Sequence, residues 1–155
     1  MCEFLIPTKI RISKIPHAGT GRFFVHNHKK GTIIRKQIID SPCLHVIKDN
    51  SGLKKYDIEL LKHFGHTKPI HSNITTNYVY LNFPPMNTNH SIYNNIDFEY
   101  NDTEKITYVT RDVYAGEEIY QNYCNFDKCD WFEEFLHDHS MLSARELGDL
   151  IKSLG

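Results

Sequence analysis

RDVYAGEEIYQNYC, residues 111–124, is more than a plain sheet requires. Gly116 supplies a turn, and Glu117, Glu118 and Ile119 read as the opening of a strand. The stretch ends on Tyr123, whose phenol both donates and accepts hydrogen bonds. About twenty residues earlier stands MNTNHSIYNN, residues 86–95, with an Asn-His-Ser triplet and a further Asn95. A buried asparagine amide needs partners for its donors and its acceptor, so Asn89 and Asn95 demand specific surroundings. What brings the two stretches together is the question the rest of the chain must answer.

The chain has 155 residues, enough for one domain with a real core. At 40% apolar and 24% charged residues it is globular in composition. Formal net charge is −1, from 18 basic and 19 acidic residues. That balance gives no global drive toward nucleic acid, and no direct nucleic-acid binding is expected, although HKKGTIIRK (28–36) is a local basic run. No apolar run approaches the roughly 18 residues of a spanning helix, so no membrane role is expected. MCEFLIPTKIRISK lacks the pattern of a signal peptide, which sets the expectation of an intracellular protein, in nucleus or cytoplasm. The sequons at Asn73, Asn89 and Asn101 then carry no meaning as glycan sites. Cys2, Cys43, Cys124 and Cys129 are scattered and are expected to be reduced, unligated thiols. The pairs HNH (26–28) and HDH (137–139) have no carboxylate or cysteine at supporting spacing, so no metal site is expected.

Alternation predicts strands at KIRISKI (9–15, half-buried), RFFV, TIIRKQII, CLHVI, NYVYLNF, NIDFEY, KITYVT and EEIYQNY. Asn101 to Glu104 reads as a hairpin turn. Residues 54–65 read as a short helix with Asp57 as N-cap, one face of Leu60, Leu61 and Phe64, and Gly65 as its stop. Residues 66–77 read as a polar, variable loop. The last thirty residues change to helical period. Asp130 with Glu133 forms a capping-box pattern ahead of Trp131, Phe132, Phe135 and Leu136. Ser143 with Glu146 forms another, ahead of the stripe Leu147, Leu150, Ile151 and Leu154. The architecture is mainly β with one helical insertion and a helical tail, in a single unit over 1–155.

Three blocks, taken in order, resemble the SET domain family of protein lysine methyltransferases. They are GTGRF (19–23), NHSIYNN (89–95) and RDVYAGEEIYQNY (111–123). The family pattern is G-x-G-x-F/A, then N-H-S-C-x-P-N, then R-D-I-x-x-G-E-E-L-x-x-x-Y. The resemblance covers about residues 8–124, with 130–155 as a tail. It implies a fold of several small curved sheets closed by a C-terminal pseudoknot, which sets the Asn89-His90 segment against the Tyr123 segment. It implies S-adenosylmethionine as cofactor, held by Gly19, Thr20, Gly21, Arg22, Asn89, His90 and Tyr123, with Tyr123 as the catalytic phenol. Glycines at such a turn let main-chain groups approach a ligand that a Cβ would block.

The departures are specific. Ile92 and Asn94 replace the family's Cys and Pro. Gln121 stands where Phe or Tyr is usual, which makes the number of methyls added unreadable. The zinc-binding C-x-C-x4-C tail is absent. Members without it lay a C-terminal aromatic on the adenine; Trp131 or Phe132 is available here, each equally suited to docking the helix. Tyr78 and Tyr80 are alternative second aromatics. The resemblance therefore implies methyl transfer from S-adenosylmethionine to a lysine ε-amine of a protein or peptide, a histone tail or another target. The rival readings are a SET-like interaction module without catalysis and, further behind, a small metal-dependent enzyme. The face of ARELGDLIKSL serves either the core or a partner helix, so monomer and homodimer both stand.

Overall fold

Alternating residues in short runs build nine strands among the residues that the computed structural model describes, 2–72, 74 and 77–154. They are β1 (Thr8–Ile12), β2 (Thr20–Phe24), β3 (Ile33–Ile38), β4 (Leu44–Ile47), β5 (Val79–Asn82), β6 (Asn89–His90), β7 (Ile96–Tyr100), β8 (Glu104–Val109) and β9 (Tyr120–Gln121). The helices are α1 (Lys55–Phe64), α2 (Asp130–Asp138) and α3 (Ala144–Ser153). The strands form four small sheets: β1-β2, β3-β8-β7, β4-β5 and β6-β9. Three are antiparallel, while β6 and β9 run parallel, with Asn89 opposite Tyr120 and His90 opposite Gln121. That last pairing is the contact an SET-type pseudoknot calls for.

The β7-β8 turn forms as expected, because the Asn101 side-chain oxygen accepts from the backbone N–H of Thr103 and Glu104, each at 2.8 Å. Inward residues of β8 alternate, and they include Lys105 and Thr107 as well as Val109. Register sets Lys105 between Gln37 on β3 and Tyr100 on β7. The main core gathers around Phe24, Ile34, Tyr80, Ile96 and Val109. A second cluster of Leu61, Val79, Phe132, Phe135 and Leu136 joins α1, β5 and α2.

Several local expectations are corrected. Cys2 and Cys43 are joined in a disulfide, and only Cys124 and Cys129 are free. β1 is largely exposed rather than half-buried, because it pairs on one side only and no layer covers Ile10 and Ile12. Lys54, not Asp57, is the N-cap of α1; Asp57 sits three residues in and accepts from the Lys54 backbone N–H at 3.1 Å. On its predicted apolar face only Leu61 is buried. Gly65 ends the helix in extended geometry, and its bareness serves packing: a Cβ there would come within 2.7 Å of the Leu61 carbonyl and 2.9 Å of Phe132. The segment read as a polar loop begins with buried His66, Thr67 and Lys68, whose backbone and side chains bond to β5 and to Asp127. Asn73 lies outside the described residues, as do Thr75 and Thr76 of that loop.

Cys129, not Asp130, is the N-cap of α2, and Glu133 turns away to bind Arg145 at 2.8 Å and Ser143 at 3.0 Å. The Ser143–Glu146 box of α3 forms as predicted. Its stripe of Leu147, Leu150, Ile151 and Leu154 stays exposed, Leu154 at 80%. α3 instead buries Gly148, where a Cβ would lie 2.9 Å from the backbone nitrogen of Cys124 and from Tyr123 Cβ. The basic run 28–36 is no single patch, since Arg35 is fully buried and Lys29 pairs with Asp112 at 3.5 Å. No described helix is long and apolar enough to cross a membrane, and no described group of histidine, cysteine and carboxylate residues could hold a metal ion.

Candidate active site

Gly116 has φ +89, a conformation suited to glycine, and its N–H bonds the Phe24 carbonyl at 2.9 Å. The turn delivers residues 117–119 alongside β2, with Glu118 opposite Phe23. Glu117 and Glu118 thus add a few irregular bonds to β2 instead of opening a long strand. Tyr123 then lies not on a strand but in a 3-10 turn, Tyr123–Asn125.

Glu118 is 2% exposed and accepts from four donors. These are Ser13 Oγ at 2.7 Å, the Lys14 N–H at 2.8 Å, Asn89 Nδ2 at 2.9 Å and the Tyr120 hydroxyl at 3.0 Å. Bonds from Asn89, Ser13, Lys14 and Tyr120 outweigh burial and hold its carboxyl below the usual range, so it is an anion at neutral pH. Gly21 explains how it fits: a Cβ there would lie 2.1 Å from Glu118 Oε1 and 3.0 Å from Asn89 Nδ2. The close approach that glycine permits is taken up by the protein's own carboxylate. Gly19, at φ +73, turns the chain before β2. Arg22 reaches sideways to the carbonyls of Met86 at 2.7 Å and Pro85 at 3.2 Å, bracing the 84–88 segment.

Asn89 spends both amide hydrogens on the Thr20 carbonyl, 3.0 Å, and on Glu118. Asn95, fully buried, clamps the neighbouring strand: Nδ2 donates to the Glu118 carbonyl at 2.8 Å and Oδ1 accepts from the Tyr120 N–H at 2.9 Å. His90 Nδ1 accepts the Tyr123 N–H at 2.9 Å, with the two rings 5.1 Å apart. The Tyr123 hydroxyl donates to the Thr88 carbonyl at 2.8 Å, and the Thr88 hydroxyl accepts from Gln121 Nε2. Burial pushes the Tyr123 phenol up to about 12, so it keeps its proton across the neutral range. The two puzzling stretches are therefore one hydrogen-bonded unit.

Beside that unit opens a cavity of about 380 Å3. Asn89, Gln121 and Tyr123 line one side, Phe126, Phe132 and Leu136 another, and Lys62, His63, Met141 and Leu142 are also in its wall. Its size falls within the roughly 300–1,000 Å3 of small-molecule sites. Gly19, Thr20, Gly21, Arg22 and His90 do not line it; they stand behind Asn89 or support it. Trp131 does not line it either. Its indole donates to the Asn77 carbonyl at 2.8 Å and docks α2, whereas Phe132 faces the cavity. Of the alternative second aromatics neither reaches the wall: Tyr80 packs on Tyr100 at 4.7 Å, and Tyr78 lies under Lys48.

Among the cavity residues that escaped the sequence reading, two are buried and titratable. Lys105 is fully buried, with its amine 3.0 Å from Asn82 Oδ1, 3.3 Å from His66 Nε2 and 4.2 Å from the Phe98 ring centroid. Desolvation and the nearby Arg35 push its pKa well below the ordinary lysine value. His66 is held well below its usual value, first by burial and then by Lys105. Tyr100 completes the cluster, its hydroxyl 3.0 Å from His66 Nε2. A lysine at an inward position of the alternating run KITYV was the available signal.

No known family profile matches the chain, and no curated protein matches it in sequence. Solved structures do match in fold. The humanized mutant of the Chaetomium thermophilum Polycomb Repressive Complex 2 bound to the inhibitor GSK126 matches with TM-score 0.56 at 18% identity, over 80% of this chain and 16% of that one. ctPRC2 in an autoinhibited conformation bound to S-adenosylmethionine matches with TM-score 0.57 at 16% identity, over 87% of this chain and 17% of that one. The apo ctPRC2 in an autoinhibited state gives TM-score 0.57 at 16% identity, over 88% and 18%. The chain thus spans about a sixth of the length of these structures. At such identities the likeness is one of fold, and the fold is SET-like, mainly β with several small sheets and three helices.

Proposed function

We propose that this chain is a methyltransferase that transfers the methyl group of S-adenosylmethionine to the ε-amine of a lysine in a protein or peptide. The observation that carries the reading is the joint placement of Tyr123 and Asn89 on one wall of a ligand-sized cavity, in a fold shared with a complex solved with that cofactor. The residues present fit such a ligand. Asn89 has an amide oxygen left over once both its hydrogens are used, and Phe126, Phe132 and Leu136 offer apolar surface. Bound there, S-adenosylmethionine supplies an electrophilic sulfonium methyl.

The chain's own work is alignment, charge placement and exclusion of water. Tyr123 remains a phenol, and its anchor on the Thr88 carbonyl fixes where the oxygen points. Its lone pairs stay free to orient an incoming amine. The β6-β9 pairing holds this phenol and Asn89 at fixed separation. An acceptor lysine must arrive uncharged, and the cavity wall, among the described residues, holds no carboxylate that would keep it as an ammonium.

Purified protein incubated with methyl-labelled cofactor, a histone panel and cell extract tests the reading. Transfer by wild type is expected, with a drop of about 10²-fold or more in Tyr123→Phe, which removes only the hydroxyl. No transfer by wild type, together with no binding of S-adenosylhomocysteine by calorimetry, ends it.

A further inference from the structure

The composition is balanced between acids and bases, 19 against 18, yet the cavity wall is not. Its lining residues include Lys62, His63, His66 and Lys105 and not one aspartate or glutamate. The acids that might have served are committed elsewhere. Glu118 is locked under Gly21, Glu133 is held by Arg145, and Asp127 pairs with Lys68 at 3.0 Å. Among the described residues, the acid paired with the wall's basic residues is Glu59, on exposed helix surface 3.4 Å from Lys62 and 3.7 Å from His63. It offsets part of one charge and leaves the inner residues untouched. Deeper in, Lys105 has Asn82, His66 and Tyr100 about it, and Arg35 behind, itself fully buried on carbonyl oxygens, the Met86 sulfur and the face of Phe4. Phe64 and Leu142, each 48% exposed, and Leu147, 40% exposed, add apolar surface to the same wall.

From this placement we infer that the acceptor lysine is presented in an acidic and apolar segment, and not in the arginine- and lysine-rich sequence of a histone tail. The inference rests on the proposed methyl transfer for its acceptor but on the cavity's charges for its flanks. A basic flank would meet Lys62, and His63 whenever it is protonated, with no carboxylate lining the wall to receive it, and like charges at a binding surface disfavour a partner. An acidic flank finds Lys62 there as a counter-charge, and the exposed Phe64, Leu142 and Leu147 receive an apolar neighbour.

The test uses two short fluorescein-labelled peptides with a single central lysine, one flanked by Glu and Leu and one by Arg and Leu. Binding to the full chain is read by anisotropy at low and high salt, and methylation by mass spectrometry with S-adenosylmethionine. The acidic peptide is expected to bind roughly tenfold tighter at low salt, the gap shrinking as salt screens it. The double reversal Lys62→Glu with His63→Glu is expected to narrow or invert the preference. Equal binding, preference for the basic peptide, or an indifferent double reversal overturns the inference, as does equal competition by a single-stranded oligonucleotide. Binding with the stated preference but without methylation of either peptide supports the inference and counts against the proposed reaction, so the two failures are told apart.

Discussion

The two polar centres behind the candidate site are built in opposite ways. Glu118 is a buried anion with four donors aimed at it, from Ser13, Lys14, Asn89 and Tyr120. Lys105 is a buried base whose contacts among the described residues are Asn82, His66 and two aromatic faces, with no carboxylate. A buried charge is tolerable when hydrogen bonds replace its hydration. The first centre meets that condition as an ion, whereas the second meets it best as a neutral amine. The anion therefore acts as structure, stitching the Gly19–Gly21 turn to β6. The base acts as environment, leaving the inner wall of the cavity without a buried anion.

The largest way to break this contrast is Glu118→Ala. It orphans Ser13, the Lys14 N–H, Asn89 and Tyr120 together, and a loss of about 3–5 kcal/mol is expected in urea unfolding. Glu118→Gln, which keeps the shape, should recover part of it. Gly21→Ala follows, since its Cβ would collide with a carboxylate that four bonds hold in place; about 1–3 kcal/mol is expected by the same measurement.

Lys105→Met sharpens the comparison through pH. The Lys105 pKa is depressed in the folded protein, below 10.5. Its favourable contribution is therefore present above that pH and is lost as pH falls, because the unfolded chain takes up the proton first. The methionine variant also loses the donor to Asn82, about 1–3 kcal/mol, at every pH. The variant should therefore gain on wild type as pH drops from about 10.5 toward neutrality; a difference that stays flat would show that Lys105 titrates normally. Glu118, depressed below 4.5, loses its contribution only as pH falls below that value. The smallest effect belongs to Trp131→Phe, which gives up one bond to Asn77 and should cost about 1 kcal/mol or less, with cofactor affinity unchanged.

Much of this was legible beforehand because local chemistry dictated it. Alternation located β3, β7 and β8, Asn101 specified its own turn, and Ser143 with Glu146 capped α3. Expectations failed where a nearby partner outbid the local one. Glu133 reads as a capping residue, but Arg145 from α3 offers it a two-pronged ion pair. His66 and Lys68 look like loop residues until β5 and Asp127 are brought beside them. Trp131 and Phe132 are neighbours at helical spacing, and only the seating of α2 decided which ring faces the cavity.

By itself the sequence determined the strand-rich order and the two tail helices, while the pairing of the Asn-His-Ser block with the Gly-Glu-Glu block ending in Tyr123 was implied only by the family resemblance. Periodicity and residue chemistry act over a few positions and are written into the chain. Only the tertiary structure decided that Gly21 shelters Glu118, that Cys2 meets Cys43, and that a lysine on β8 stands in the wall of the cavity. Those facts depend on which distant side chains arrive at the same place. Close packing forces that choice on the whole molecule at once, and no segment carries it alone.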